Sequence, residues 1–326
     1  MIKSEIVVPD ETEFSQIFNN SFNGFLLWNY HTNSSQESFS CIRLVSLAEK
    51  KRWSPYLDID WPSDTLGSRF PCADYADPFA GFDQYEKLSR PDRLRVAWQR
   101  HAMEISELLH GEQLALMCAS QLISMMPCME SRLFASTQVA DEARHVEFFR
   151  RYLASAGLDI CGPSPALRHL TVDTLQDPRW EIKLLICQIL IESLALAQFS
   201  HLAQAGVPPT LKQGLRRIMD DEARHVRFGT DYLKSLFRSH NAEQLTGYGN
   251  YVIDKAFELA PSDNQCLAIA RDHQWDIHKL RQHLRQQRIG RPELIRQRFR
   301  QLSLNIKAIG LMNASIEERI MRFTGT

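Results

Sequence analysis

Asp141-Glu142-Ala143-Arg144-His145 recurs, residue for residue, as Asp221-Glu222-Ala223-Arg224-His225. The offset is 80 residues, and it also relates Glu112 to Glu192, each 30 residues upstream of the glutamate in its own pentapeptide. The chain thus carries the pattern E…ExxH twice. Pro127 stands 15 residues from both Glu112 and Glu142, and Val207, inside the Gly206–Pro209 break, stands 15 from both Glu192 and Glu222. Two antiparallel helices folded at such a break carry equidistant positions to one level, about 22 Å from the turn at the α-helical rise. Within each ExxH, the i,i+3 spacing puts Glu and His on one helical face. Two hairpins packed face to face therefore assemble four carboxylates and two imidazoles, the donor set of a dimetal site in a four-helix bundle.

Oxygen donors with one imidazole per metal suit iron or manganese better than a thiolate-seeking ion. Glu112, Glu142, His145, Glu192, Glu222 and His225 are the candidate ligands. Asp141 and Asp221, each four residues before a histidine, are placed to accept the hydrogen bond from that histidine's distal nitrogen and fix its tautomer. Arg144 and Arg224 are candidates to pair with these aspartates. The competing reading is ordinary i,i+3 pairing on charged helix surfaces. It leaves the 30- and 80-residue spacings unexplained, and it fails at Glu192, which sits in the apolar run Leu184–Leu196 where a glutamate is rarely free. A lone ExxH is weak, since a chain of this length holds roughly half of one by chance. Glu107-Leu108-Leu109-His110 is such a stray, with His110 turned roughly 160° from Glu112 and read as a solvated or outer feature. Gln138, one turn before Glu142, either lines a cavity or is a core or surface amide. Phe148, Phe149 and Phe228 either wall the site or pack the core.

Around this repeat the chain is ordinary: 326 residues, 44% hydrophobic, 24% charged, net charge -1. That balance gives no field favouring nucleic acid or an anionic membrane. No unbroken run of about 18 apolar residues is seen, so no membrane span is expected. The N-terminus lacks an apolar signal core, and the seven scattered cysteines (41, 72, 118, 128, 161, 187, 266) form no CxxC pair. They read as reduced thiols of a cytoplasmic protein. Residues 1–88 read as an irregular N-terminal arm with a short helix near 42–52 and turns at Trp53-Ser54-Pro55 and Gly67-Ser68. Helical spacing then covers 92–126, 129–156, 179–205 and 210–238, with a Pro-containing connection at 157–178. Further helices are expected near 242–259, 263–288 and 291–315. The fold class is all-α: an arm (1–88), a four-helix bundle (89–240) and additional C-terminal helices packed on it (241–326). The basic stretch 271–300 is either a solvated face or a dock for an acidic partner.

The runs HGEQ (110–113), TQVADEARHVEFFRRYL (137–153), LIESLALAQF (190–199) and DDEARHVRFGTDYL (220–233) resemble the four ligand helices of bacterial ferritin-like, ribonucleotide-reductase-like di-iron proteins. RWSPYLDIDW (52–61) resembles that family's N-terminal lead-in. The resemblance implies an O2-activating oxygenase or oxidase with two iron ions, Mn/Fe being an alternative pair. In it Glu142 and Glu222 bridge, while Glu112 with His145 and Glu192 with His225 are terminal. The implied substrate is a small organic molecule or a carrier-bound group, open to hydroxylation, N-oxygenation or desaturation. An external reductase or ferredoxin would supply electrons, and a homodimer is compatible. Departures narrow the choice. The tyrosine of radical-bearing reductase subunits is Phe149 here, and the threonine of hydrocarbon monooxygenases is Leu196. The extra histidine of amine N-oxygenases resembling 4-aminobenzoate oxygenase is Ile218, which rules out a seventh ligand from that place. The other readings are a ferroxidase or iron-binding protein without organic turnover, and a scaffold with a structural metal.

Overall fold

The long helices begin and end where the sequence offers a cap or a breaker. The structure, a computed structural model, describes residues 36–61, 70–72, 77–260, 262–288 and 292–325. Among these there is no strand. Residues 1–35 of the expected arm and the Gly67-Ser68 turn lie outside the described residues. Helix α1 (Gln36–Lys50) extends the expected short helix toward the N-terminus, and a single turn, α2 (Asp83–Glu86), follows. Helix α3 (Arg90–Met125) starts at Ser89, whose side chain accepts from the Asp92 amide. It stops at Met126, held extended by the following Pro127. Helix α4 (Met129–Ser155) runs back and ends before Gly157, at φ +67°.

The connection 157–178 contains a helix that sequence reading passed over, α5 (Pro165–Gln176). It is capped by Ser164 and buries only Leu167, Leu170 and Thr174, too few apolar positions to show a period. The third bundle helix is not uniform. It comprises α6 (Trp180–Leu184), a π-helical turn (Leu185–Ile191) and α7 (Glu192–Gln204). After the Gly206 break, Pro209 opens α8 (Pro209–Phe237). The segment expected at 263–288 is two helices, α10 (Asn264–Asp272) and α11 (Ile277–Arg288), and the one expected at 291–315 is α12 (Pro292–Ala308), followed by a further helix, α13 (Ala314–Thr324). Gln274 at φ +55° and Gly310 at φ +83° make those breaks. Between the pairs and the bundle lies α9 (Ala242–Glu258), started by an Asn241–Gln244 capping box.

Helices α3 with α4, and α7 with α8, form the two hairpins; α1 lies across α4 and α8, and α12 lies along α7. Trp53 and Ile59 plug one end of the bundle beside Phe148, Phe149, Leu211 and Ile218. Phe79, Phe82 and Tyr85 join Trp275 and Leu280 in a separate cluster. The helix Trp180–Gln204 is long and apolar enough by composition to cross a membrane, which a search for an unbroken apolar run misses. Most of it is buried inside the bundle.

Helix α8 approaches the π turn so closely that Gly229 is required there. A Cβ on Gly229 would sit 2.5 Å from Gln188 Cβ, an atom fixed to the backbone, and 3.3 Å from its Cγ. Gly229→Ala is therefore expected to lower the unfolding free energy by about 1–3 kcal/mol, the usual cost of overpacking. Urea denaturation measures this, and an unchanged midpoint would contradict the close approach.

Candidate metal centre

Ligand atoms of Glu112, Glu142, His145 and Glu222 lie within 4.8 Å of one another, and so do those of Glu142, Glu192, Glu222 and His225. Glu142 and Glu222 belong to both groups. All six residues are buried, Glu142, His145 and His225 completely. Each comes from the position in its helix that the hairpin spacing demands: Glu112 on α3, Glu142 and His145 on α4, Glu192 at the head of α7, Glu222 and His225 on α8.

Each imidazole turns Nδ1 toward the carboxylates. His145 Nδ1 is 3.2 Å from Glu112, 3.0 Å from Glu142 and 3.2 Å from Glu222. His225 Nδ1 is 3.2 Å from Glu142, 3.5 Å from Glu222 and 3.7 Å from Glu192. The outer nitrogens correct the sequence reading. His145 Nε2 meets Asp221, at 3.1 Å, and His225 Nε2 meets Asp141, at 3.0 Å. Each histidine is held by the aspartate of the other pentapeptide rather than its own. Nε2 is the ring atom farthest from its own backbone, so it reaches the facing helix. Arg224 donates to both aspartates, 3.0 Å to Asp141 and 2.6 Å to Asp221. Arg144 donates to Asp141. Two aspartates and two arginines thus balance around four glutamates, whose own charge two divalent cations would balance.

The donor set fits such a pair of cations. Glu192 Oε2, both carboxylate oxygens of Glu222 and His225 Nδ1 are buried without a hydrogen-bond partner. Buried charges of this kind are costly unless paired or bound to metal. The ionisation pattern says the same. Burial, then the charge of Glu222, pushes the Glu112 and Glu192 carboxyls well above the usual range. Burial also opposes the Glu142 anion, yet the charge of His225, 3.2 Å away, and the hydrogen bond from His145 hold its pKa far below normal. Burial disfavours the imidazolium at both histidines. Asp221 and the glutamates outweigh it at His145, and Glu142 and Glu192 outweigh it at His225, so both are pushed well up.

Metal ligands must be deprotonated, and groups with raised pKa values hold protons that a cation has to displace. Loading is therefore expected to release protons and to tighten as pH rises. Calorimetric titration with Mn(II) in buffers of different ionisation enthalpy checks this; uptake with no net proton release would contradict it.

Gln138 is wholly buried and points into the site, its amide donating 2.9 Å to Glu142 and 2.7 Å to Glu192. Phe149 packs between Phe148 and Phe199, and Phe228 stacks on Phe134 beside His225. Leu196 is half-buried and belongs to none of the buried apolar clusters. Ile218 is completely buried among apolar side chains. His110 bonds the Cys161 carbonyl and Gln113, outside the cluster. Two residues had no part in the sequence reading of the site. Trp53 donates 2.8 Å to Asp221, and Gln188, on the π turn, donates 2.8 Å to Gln138. Gln188 had a signal, as the only polar residue between Leu184 and Glu192 in that apolar run.

Comparison with solved structures finds R2-like ligand-binding oxidases. A single-site variant carrying an anaerobically reconstituted Mn/Fe cofactor aligns with TM-score 0.56 at 19% identity, covering 83% of this chain and 94% of that one. A second variant, also with Mn/Fe, gives TM-score 0.57 at 18% identity over 84% and 94%. A third, with a non-activated Mn/Mn cofactor, gives 0.57 at 18% over 83% and 93%. These likenesses show the fold. Comparison with curated proteins gives no match. Residues 35–265 match the family described as P-aminobenzoate N-oxygenase AurF. That match spans both pentapeptides, both upstream glutamates and most of the described helices, and the chain belongs to this family as a ferritin-like di-iron oxidoreductase.

Proposed function

We propose that this protein is an O2-dependent oxygenase that inserts oxygen into a small organic substrate, an amine being the first class to test because the family is described by N-oxygenation. The observation that carries the reading is the pair of four-residue donor groups sharing Glu142 and Glu222. Glu112 and His145 would hold one iron and Glu192 and His225 the other, with Glu142 and Glu222 within reach of both. Bound Fe(II) supplies the electrons and coordination positions that O2 reduction needs. The chain's own residues do the rest. Asp221 and Asp141 fix both imidazoles with Nδ1 inward. Phe149, Phe199 and Ile218 keep water from one side of the ligands. Phe149 in place of a tyrosine makes a stable tyrosyl radical at that position unavailable. The remaining electrons are assigned to an external reductase or ferredoxin, for which the exposed Arg271, Lys279, Arg281, Arg285 and Arg300 supply a surface of the right sign.

The test is to load the apo-protein anaerobically with Fe(II), count iron per chain and mix rapidly with O2. Two irons per chain and a transient visible band, followed by 18O from 18O2 in an arylamine product, are expected. Iron oxidation with no substrate oxidation and growth of a mineral would instead indicate a ferroxidase. No reaction with O2 would indicate a structural metal.

A further inference from the structure

We propose that Gln138 is a positioning residue that makes the two metal positions unequal, acting mainly on the one served by Glu192 and His225, because it bonds Glu192 and the oxygen of the shared Glu142 that faces His225. The inference rests on the dimetal reading above. Gln138 stands on α4 one turn before Glu142. Its amide nitrogen has two hydrogens, and both are used, toward Oε1 of Glu142 and Oε1 of Glu192. Its own carbonyl is held by Gln188, from the π turn immediately before Glu192. Both glutamines are completely buried.

Two consequences follow for the carboxylates. Glu192 is clamped through Oε1, so its Oε2, which has no hydrogen-bond partner, is the oxygen left for a cation. Glu142 is tied to Glu192 through the same neutral donor, which fixes the spacing of the two carboxyl groups before any cation arrives. Hydrogen bonds to ionised acceptors are about twice as strong as neutral ones, so the clamp is substantial.

The other half of the repeat lacks it. At the 80-residue offset, Gln138 corresponds to Ile218, and Gln188 corresponds to Leu108. Ile218 is buried in an apolar cluster and Leu108 packs against that cluster. Glu112, the counterpart of Glu192, therefore has no amide donor at the equivalent place, and its carboxylate meets His145 instead. A duplicated ligand set thus sits in two different surroundings, with one pair of glutamines on the Glu192 side alone.

The experiment is an anaerobic equilibrium titration with Co(II), followed by visible absorption, on wild type, Gln138→Leu and Gln188→Leu. His145→Ala and His225→Ala assign each binding step to its position. Gln138→Leu is expected to weaken the His225 step by about ten-fold, the size of one lost hydrogen bond to a charged acceptor. It should also change the absorption band of that ion while leaving the His145 step within about two-fold. Gln188→Leu should shift the same step by less, and it carries the comparison alone should Gln138→Leu fail to fold. Equal shifts in both steps, or no shift in the His225 step, overturn the role of Gln138. Fewer than two cobalt ions in wild type overturns the dimetal reading itself, a separate failure.

Discussion

Glu192→Ala leaves the protein unable to hold two metal ions. Glu192 is 1% exposed and, unlike Glu142 and Glu222, belongs to one four-residue group only. Removing it leaves that position with Glu142, Glu222 and His225, two of them shared with the neighbouring ion. Anaerobic loading with excess Fe(II), followed by elemental analysis, should give at most one ion per chain. Thermal stability supplies a second readout. A metal that binds only the folded state at about a thousand times its Kd stabilises by about 4 kcal/mol, so the metal-dependent rise in Tm should shrink in the variant. Two ions retained in Glu192→Ala would sink the ligand set as assigned.

Arg224→Met is expected to be the most damaging change outside the ligands. Arg224 is 4% exposed and its guanidinium joins Asp141 and Asp221, which hold the outer nitrogens of the two histidines. Its removal takes from two buried carboxylates the one guanidinium that bonds both, leaving Arg144 as their remaining arginine. Deleting one partner of a buried ion pair typically costs about 3–5 kcal/mol. Denaturant unfolding of the metal-free protein should show a loss of that order. Metal affinity should also fall at both positions, because both imidazoles lose their orientation together. Arg144→Met should cost less, since Arg144 is more exposed and lies 4.0 Å from Asp221. A loss below about 1 kcal/mol for Arg224→Met would show that the aspartates are balanced by other means.

The six candidate ligands could be read from the sequence because hairpin geometry converts spacing into height. Pro127 and the Gly206–Pro209 break are strong local signals, and a residue's distance from a turn survives whatever the rest of the helix does. The π turn leaves that height unchanged. It lies on the far side of Glu192 from the 205–208 turn, so the extra residue does not alter the span between turn and ligand. What lay outside the sequence was lateral. Which aspartate meets which histidine depends on how α4 and α8 face each other, and no periodicity within one helix carries that. Trp53 reaches Asp221 from a segment 168 residues away, and only the packing of the arm on the bundle reveals it. Gln188 was visible as a polar residue in an apolar run, yet its role depends on a helical distortion for which no residue type is a marker.

The π turn also sets a rotational phase. An α-helix advances about 100° per residue, and an i→i+5 turn takes one residue more than the regular helix would. The two ends of the Trp180–Gln204 rod therefore do not share one continuous stripe. Residues before Leu185 present one azimuth to their neighbours, and residues from Glu192 onward present another. The rod behaves as two cams on a common shaft, set at an offset by seven apolar-rich residues. One cam seats Ile182 and Leu184 in the main apolar core, while the other turns Glu192 toward Glu142, Glu222 and His225 and Phe199 toward the aromatic plug. Packing and ligation would compete for the same azimuth on a regular helix. Here they are uncoupled, and the glutamate can sit in the most apolar helix of the protein without the core having to open around it.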